Sequence, residues 1–153
     1  MPARYSIRCL RESDFERLQE IEHASFGKDA YDRNLFADLF HKCGDLFLVA
    51  ESGRNIWGYM VTCTRGGRAE VVSIAVDPPA RRTGAATDLM ASTLRRLRRR
   101  GIQRVGLMVR TGNRRAVAFY ERHGFTKVRI VRKYYGDRSD GWFMAKDLNP
   151  TRR

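Results

Sequence analysis

The fold is decided by Val71-Val72-Ser73-Ile74-Ala75-Val76-Asp77-Pro78-Pro79-Ala80-Arg81-Arg82-Thr83-Gly84-Ala85-Ala86-Thr87-Asp88-Leu89-Met90. Val71 to Val76 is apolar and β-branched, which favours a strand. Asp77-Pro78-Pro79 ends it, because proline has no N–H for the ladder. From Ala86 the core-facing positions Ala86, Leu89, Met90, Thr93, Leu94 and Leu97 recur at helical spacing, and Gly101 follows as a stop. Between strand and helix, Arg81-Arg82-Thr83-Gly84-Ala85-Ala86 combines two guanidinium groups with the free N–H groups of a helix start. Such a loop suits a phosphate or pyrophosphate. It lacks the Gly-x-x-x-x-Gly-Lys-Ser/Thr spacing of a nucleotide P-loop. An ordinary strand-loop-helix connection in an Arg-rich protein is the plain alternative.

Working outward, the 153 residues have the length of one domain and enough apolar residues (42%) for a core. No apolar run approaches ~18 residues and no signal-peptide h-region opens the chain, so a cytoplasmic protein without a membrane span is expected. Cys9, Cys43 and Cys63 form no C-x-x-C and read as buried or idle thiols. His23, His41 and His123 show no metal-ligand spacing, so no metal is expected. The net charge of +13 is uneven: residues 1–75 hold 10 Lys/Arg against 11 Asp/Glu, residues 76–153 hold 20 against 6. A basic half serves a polyanionic cofactor, a nucleic-acid or ribosomal surface, or solubility. Arg95-Arg96 and Arg98-Arg99-Arg100 fit a solvated helix face near a C-terminus, where the macrodipole favours cations.

Taken in order, Tyr5 to Leu10 reads as a strand. Ser13-Asp14-Phe15-Glu16 reads as a capping box opening a helix that buries Phe15, Leu18 and Ile21. Leu35, Phe36, Leu39 and Phe40 mark a second helix. Strands at 46–52 and 56–64 meet at Gly53-Arg54-Asn55, a tight hairpin, and Arg65-Gly66-Gly67-Arg68 turns into the strand ending at Val76. Residues 104–110 alternate as a strand with one buried face. Asn113 to His123 is a helix closed by Gly124, and 125–132 pairs with 142–147. The order β-α-α-β-β-β-α-β-α-β-β contains one strand-helix-strand unit among hairpins, so the sheet is α/β and mixed.

These segments together resemble the GNAT family of N-acetyltransferases. Arg81-Arg82-Thr83-Gly84-Ala85-Ala86 is similar to its Q/R-x-x-G-x-G/A signature, and Ala69 to Val76 to its fourth strand. Asn113 to Phe125 is similar to its N-x-x-A-x-x-x-Y-x-x-x-G-F helix. Arg132-Lys133-Tyr134-Tyr135 with Asp140 and Met144 resembles the ending of N-terminal protein acetyltransferases, above all the RimI-type ribosomal-protein-alanine branch. The resemblance implies a GNAT fold: a single mixed, mostly antiparallel sheet with splayed central strands, flanked by helices. It spans 1–149, with 150–153 as a short tail. It implies acetyl-CoA as cosubstrate. The backbone of Ile74, Ala75 and Val76 would pair with the pantetheine, and Arg81, Arg82, Thr83, Gly84, Ala85, Ala86 and Thr87 would hold the pyrophosphate. Asn113 either reaches the pantetheine or simply caps its helix.

Tyr120 matches the tyrosine that protonates the leaving thiolate, and an ordinary phenol, pKa about 10, is protonated at neutral pH. Tyr134 and Tyr135 match tyrosines that grip the acceptor, or they pack across a hairpin. Phe26 and Tyr31 occupy the loop that forms the other acceptor wall in the family. The family's F-x-x-P-W is absent there. A second departure is Leu107-Met108-Val109-Arg110, where the RimI-type pattern L-E-V-R carries a glutamate base. Glu70 is the replacement carboxylate, acting through a water, or else a surface residue. A peptide α-amine, pKa about 7.7–8.0, is roughly a fifth to a third neutral at pH 7.4, while a lysine near 10.4 is only ~0.1% neutral. A missing base therefore harms an α-amine acceptor far less. The expected reaction is direct attack by a primary amine on acetyl-CoA in a ternary complex. The acceptor is a protein N-terminus, a ribosomal protein among the partners, or alternatively a polyamine, amino sugar or amino acid. A basic RNA-binding module with a vestigial acetyl-CoA site is the rival from another class. Nucleic acid is not required, and a monomer or homodimer is expected.

Overall fold

Tight turns cut the chain into strands and helices close to where the sequence places them. The computed structural model describes residues 5–148; the tail expected at 150–153 lies outside the described residues. In order come β1 (Ser6–Cys9), α1 (Phe15–Phe26), α2 (Arg33–Cys43), β2 (Phe47–Ser52), β3 (Asn55–Arg65), β4 (Arg68–Val76), α3 (Ala85–Arg99), β5 (Arg104–Arg110), α4 (Arg114–Arg122), β6 (Thr126–Val131) and β7 (Gly141–Asp147). The sheet takes the strands as β1-β2-β3-β4-β5-β7-β6. The β1–β2, β2–β3, β5–β7 and β6–β7 pairs are antiparallel and β4–β5 is parallel. The mixed, mostly antiparallel sheet is as expected. The β4–β5 ladder covers only Arg68↔Arg104, Ala69↔Val105 and Glu70↔Gly106, so pairing ends well before either strand does.

Contacts group the chain into two units. One runs to Cys63 and includes Val72–Arg96; the other comprises Thr64–Val71 and the chain from Leu97 onward. In the first unit, Leu18, Ile21, Phe36, Phe47, Val49, Tyr59 and Val61 form a cluster with Phe15 and Ala75. Phe36 lies edge-on to Tyr59 at 5.7 Å, a favourable ring arrangement. The β2–β3 turn is Gly53-Arg54, with φ of +62° and +65°. Both values are those of the primed hairpin turn, whose twist suits the flanking strands. Asn55 already pairs with Ser52, so the turn is one residue shorter than expected.

Two expectations are corrected here. Ser13 does not cap α1: Asp14 accepts from the Arg11 N–H at 2.8 Å and is itself gripped by Arg8 at 2.9 Å. Residues 12–14 already form a tight helical turn that runs into α1, so the box is closed earlier, at Arg11 and Asp14. Nor are all the cysteines idle. Cys43, closing α2, is bonded to Cys63 on β3, with Cα atoms 5.2 Å apart, while Cys9 is free and exposed. The two are 20 residues apart in sequence, and only the packing of α2 on the sheet brings them within bridging reach.

In the second unit, β5 buries Val105, Leu107 and Val109, as the alternation requires, and Met144 of β7 is fully buried. Gly106 is demanded by packing. A Cβ there would lie 2.7 Å from the Phe143 ring on the neighbouring strand. β6 is exposed along most of its length.

Candidate active site

The loop from Arg81 to Thr87 belongs to the first unit. Its helix begins with the bond from Asp88 N–H to the Gly84 carbonyl, 2.9 Å. The amides of Ala85, Ala86 and Thr87 therefore precede any intrahelical acceptor and are free to bind an anion. Gly84 has φ +96°, and nothing lies within 4 Å of where its Cβ would be. The chain thus presents bare backbone beside open space, which fits a diphosphate. Arg82, at φ +65°, is exposed. Arg81 points elsewhere: its guanidinium donates to the Val76 carbonyl at 3.1 Å and to Ser25 Oγ at 3.4 Å. It braces the loop. Thr83 likewise donates to the Ala80 carbonyl, leaving its N–H rather than its hydroxyl for a ligand.

Upstream, Ile74 and Val76 are half-buried and Ala75 is buried. The Ala75 carbonyl comes within 3.0 Å of a Cβ built at Gly58, so the glycine lets β3 approach β4 closely. Phe26 is 40% exposed at the end of α1. Tyr31 turns inward instead, its ring edge-on to Phe36 at 6.1 Å and its N–H donating to Glu22.

The second unit holds the expected acid. Tyr120, on α4, is buried, its ring set against Phe119 (5.5 Å) and Phe125 (5.8 Å). Burial pushes its phenol well above the ordinary value, and the nearby Tyr135 adds in the same direction. The hydroxyl therefore keeps its proton throughout the neutral range. Asn113 caps α4, its Oδ1 accepting from the Ala116 N–H at 3.2 Å.

Tyr134, 48% exposed, and Tyr135 meet edge to face at 4.9 Å in the β6–β7 loop. Sequence reading passed over what holds them. Arg110 of β5 reaches both Asp137 oxygens, at 3.0 and 2.9 Å, and also Ser139, while its guanidinium lies 4.2 Å over the Tyr135 ring. Hydrogen bonds from Ser139, with the Arg110 pair, drive the Asp137 carboxyl far below the usual range. The alternation that places Arg110 at the end of β5, with Asp137 in the loop, is the signal available in sequence.

Glu70 and Met108 line one concavity of about 310 Å³, together with Arg68, Arg104, Gly106 and Phe143. The parallel register puts Glu70 beside Gly106, two residues before Met108. Met108 Cε and the Tyr135 ring both pack against Gly141, at 2.8 and 3.2 Å from its would-be Cβ. Met108 thus lies between the glutamate and the loop tyrosines.

The acetyltransferase (GNAT) family profile matches residues 8–125. The chain is 27% identical to an N-alpha-acetyltransferase of Saccharolobus solfataricus, over 94% of this chain and 93% of that protein. It is 30% identical to the [ribosomal protein bS18]-alanine N-acetyltransferase of Haemophilus ducreyi, over 91% and 97%. Among solved structures, Ard1 from Thermoplasma volcanium superposes with a TM-score of 0.91 at 28% identity, covering 96% of this chain and 99% of that one. The chain belongs to the GNAT family. It is an N-acetyltransferase, an enzyme of the acyltransferase class, and resembles the ribosomal-protein-alanine N-acetyltransferases. No described helix is long and apolar enough to cross a membrane.

Proposed function

We propose that the enzyme acetylates protein N-terminal α-amines, using acetyl-CoA. Support comes from the similarity to enzymes named for that reaction and from the buried Tyr120 phenol, which has Tyr135 near it in the same unit. The observation that carries the reading is Met108 beside Glu70: no carboxylate stands on β5, which suits an amine already partly neutral.

Acetyl-CoA supplies the acyl thioester. The N–H groups of Gly84, Ala85, Ala86 and Thr87, with Arg82, would hold its diphosphate, Arg81 bracing the loop. The backbone of Ile74, Ala75 and Val76 would bind the pantetheine, with Asn113 helping through its amide N–H₂ while Oδ1 caps α4. Donors near Ile74 stabilise negative charge on the carbonyl oxygen. Tyr120 Oη gives its proton to the departing sulfur. Glu70 draws the acceptor ammonium by charge and passes a proton to solvent through water. Phe26, Tyr134 and Tyr135 would receive the first residues of the acceptor. We place the reaction in the cytoplasm, where N-termini emerge, with a ribosomal protein as one acceptor.

A panel of N-terminal peptides, N-blocked lysine peptides, polyamines and amino sugars, read by free-thiol release from acetyl-CoA, tests this. Turnover confined to free α-amine peptides is expected. Preference for a small amine or for N-blocked lysine peptides would overturn it.

A further inference from the structure

Glu22 sits on the buried stripe of α1, at helical spacing from Leu18 and beside Ile21, and is 1% exposed. The proposed roles above leave it unused. An isolated carboxylate at such a place costs several kcal/mol, so its partners define what it does. Oε2 accepts from the Tyr31 N–H at 2.9 Å, and Oε1 accepts from the Tyr59 hydroxyl in a short bond. The Tyr59 oxygen is also 2.8 Å from Ser73 Oγ. A carboxylate can only accept, so ionised Glu22 fixes the direction of the whole chain. Tyr59 donates to Glu22, and Ser73 donates to Tyr59. Tyr59 is completely buried, whereas Ser73 is half-buried and directly precedes Ile74 on β4. The hydrogen-bonded line therefore starts at a buried carboxylate and ends at a half-buried serine, beside the backbone assigned to the cosubstrate.

We propose that Glu22, Tyr59 and Ser73 form a proton relay through which the Glu22 carboxylate takes up the proton lost by the acceptor amine. The inference rests on the acetyl-transfer reading above and gives a destination to the proton lost as the neutral amine attacks. As the amine nitrogen bonds to the acetyl carbon, its proton passes, directly or through one water, to Ser73 Oγ. The Ser73 proton moves to Tyr59 Oη, and the Tyr59 proton to Glu22 Oε1. Serine and tyrosine end neutral, Glu22 ends as the acid, and the amine has shed one proton. The acid is reset by the reverse shift to water after product leaves. Burial raises the Glu22 carboxyl above its usual range, against the opposing effects of the Tyr31 N–H, the Tyr59 hydroxyl and the neighbouring His23 on its own helix. A base so raised is better matched to an amine than an ordinary carboxylate is. Tyr59 stays protonated at rest, because burial and the facing Glu22 charge raise it further.

The test uses the whole chain. Glu22→Gln keeps the bonds by reversing them: the amide N–H₂ donates to Tyr59, which donates to Ser73. Ser73→Ala cuts the outlet while leaving Glu22, Tyr59 and Tyr31 joined. In the wild type, log(kcat/KM) against pH should rise with a slope of about 2 below the Glu22 pKa and about 1 above it, levelling near 8 with the amine. Both variants should lower kcat by at least about tenfold and reduce the low-pH slope to about 1. A purely structural Glu22 would leave Ser73→Ala with the wild-type slope. Independently of turnover, infrared difference spectra should show a carboxyl band, absent from Glu22→Gln, that titrates above the ordinary carboxylate range, because burial raises Glu22. A missing band, or a wild-type slope in Ser73→Ala, would overturn the relay. A titrating band in a protein that acetylates no peptide would instead sink the acceptor assignment.

Discussion

Tyr120→Phe removes one oxygen and little else. The ring contacts to Phe119 and Phe125 are retained. So are the hydrogen bonds that the Tyr120 carbonyl accepts from the N–H groups of His123 and Phe125, both 3.0 Å. Stability should move by no more than about 0.5 kcal/mol, a shift of roughly 1–2 °C in Tm for a chain of this size. The rate should behave quite differently. A positioned acid contributes about 10² to 10⁴, so kcat should fall at least ~10²-fold, about 2.7 kcal/mol of barrier. The loss should shrink above the ordinary thiol pKa of about 8.5, where the departing thiolate needs its proton less. Tyr120 itself stays protonated across that range because burial raises its pKa. The sign of the linkage follows: its contribution to stability is fully present below the unfolded phenol value of about 10 and is lost as pH rises beyond it. Tyr120→Phe should abolish that part of the alkaline loss. Single-turnover thiol release measures the chemistry, and titration with CoA measures the cosubstrate site. Unchanged single-turnover rates would remove Tyr120 from the reaction.

CoA at ~100 times its Kd should stabilise the enzyme by about 2.7 kcal/mol, and Gly84→Glu should erase that shift by setting a carboxylate in the open space over the loop. Wild-type CoA affinity in that variant would show the diphosphate lies elsewhere. Met108→Glu, in the concavity it shares with Glu70, should move the rise of kcat to lower pH, while Glu70→Gln should cost only a few-fold; an unmoved profile in Met108→Glu would mean residue 108 does not meet the acceptor. Reducing Cys43–Cys63, or replacing Cys63 with Ser, should cost about 3 kcal/mol by the loop-closure relation. Equal melting with and without reductant would show that the bridge does not form.

The sequence by itself determined the elements and their order. Proline after Val76, glycine at 84, 101 and 124, and apolar spacings of two or of three to four residues act within a few residues of chain. The resulting structure begins and ends its elements nearly where those signals fall. The loop proposed to hold the diphosphate was legible for the same reason, since a strand end, a glycine and a helix start are all local.

What only the tertiary structure decided are the pairings between distant residues. Arg81 looked like a phosphate ligand and is turned onto Val76 and Ser25. Cys43 and Cys63 looked idle and are joined. Glu22 carries no signal in the sequence, yet α1 sets its carboxylate against the Tyr59 hydroxyl, which in turn meets Ser73. Each outcome depends on strand register and on the rotation of a helix over the sheet. A register slip of one residue would send Tyr59, Cys63 and Ser73 to the other face of the sheet. Composition carries no trace of that choice, because it is made by the collective packing of the core and not by any short stretch of chain.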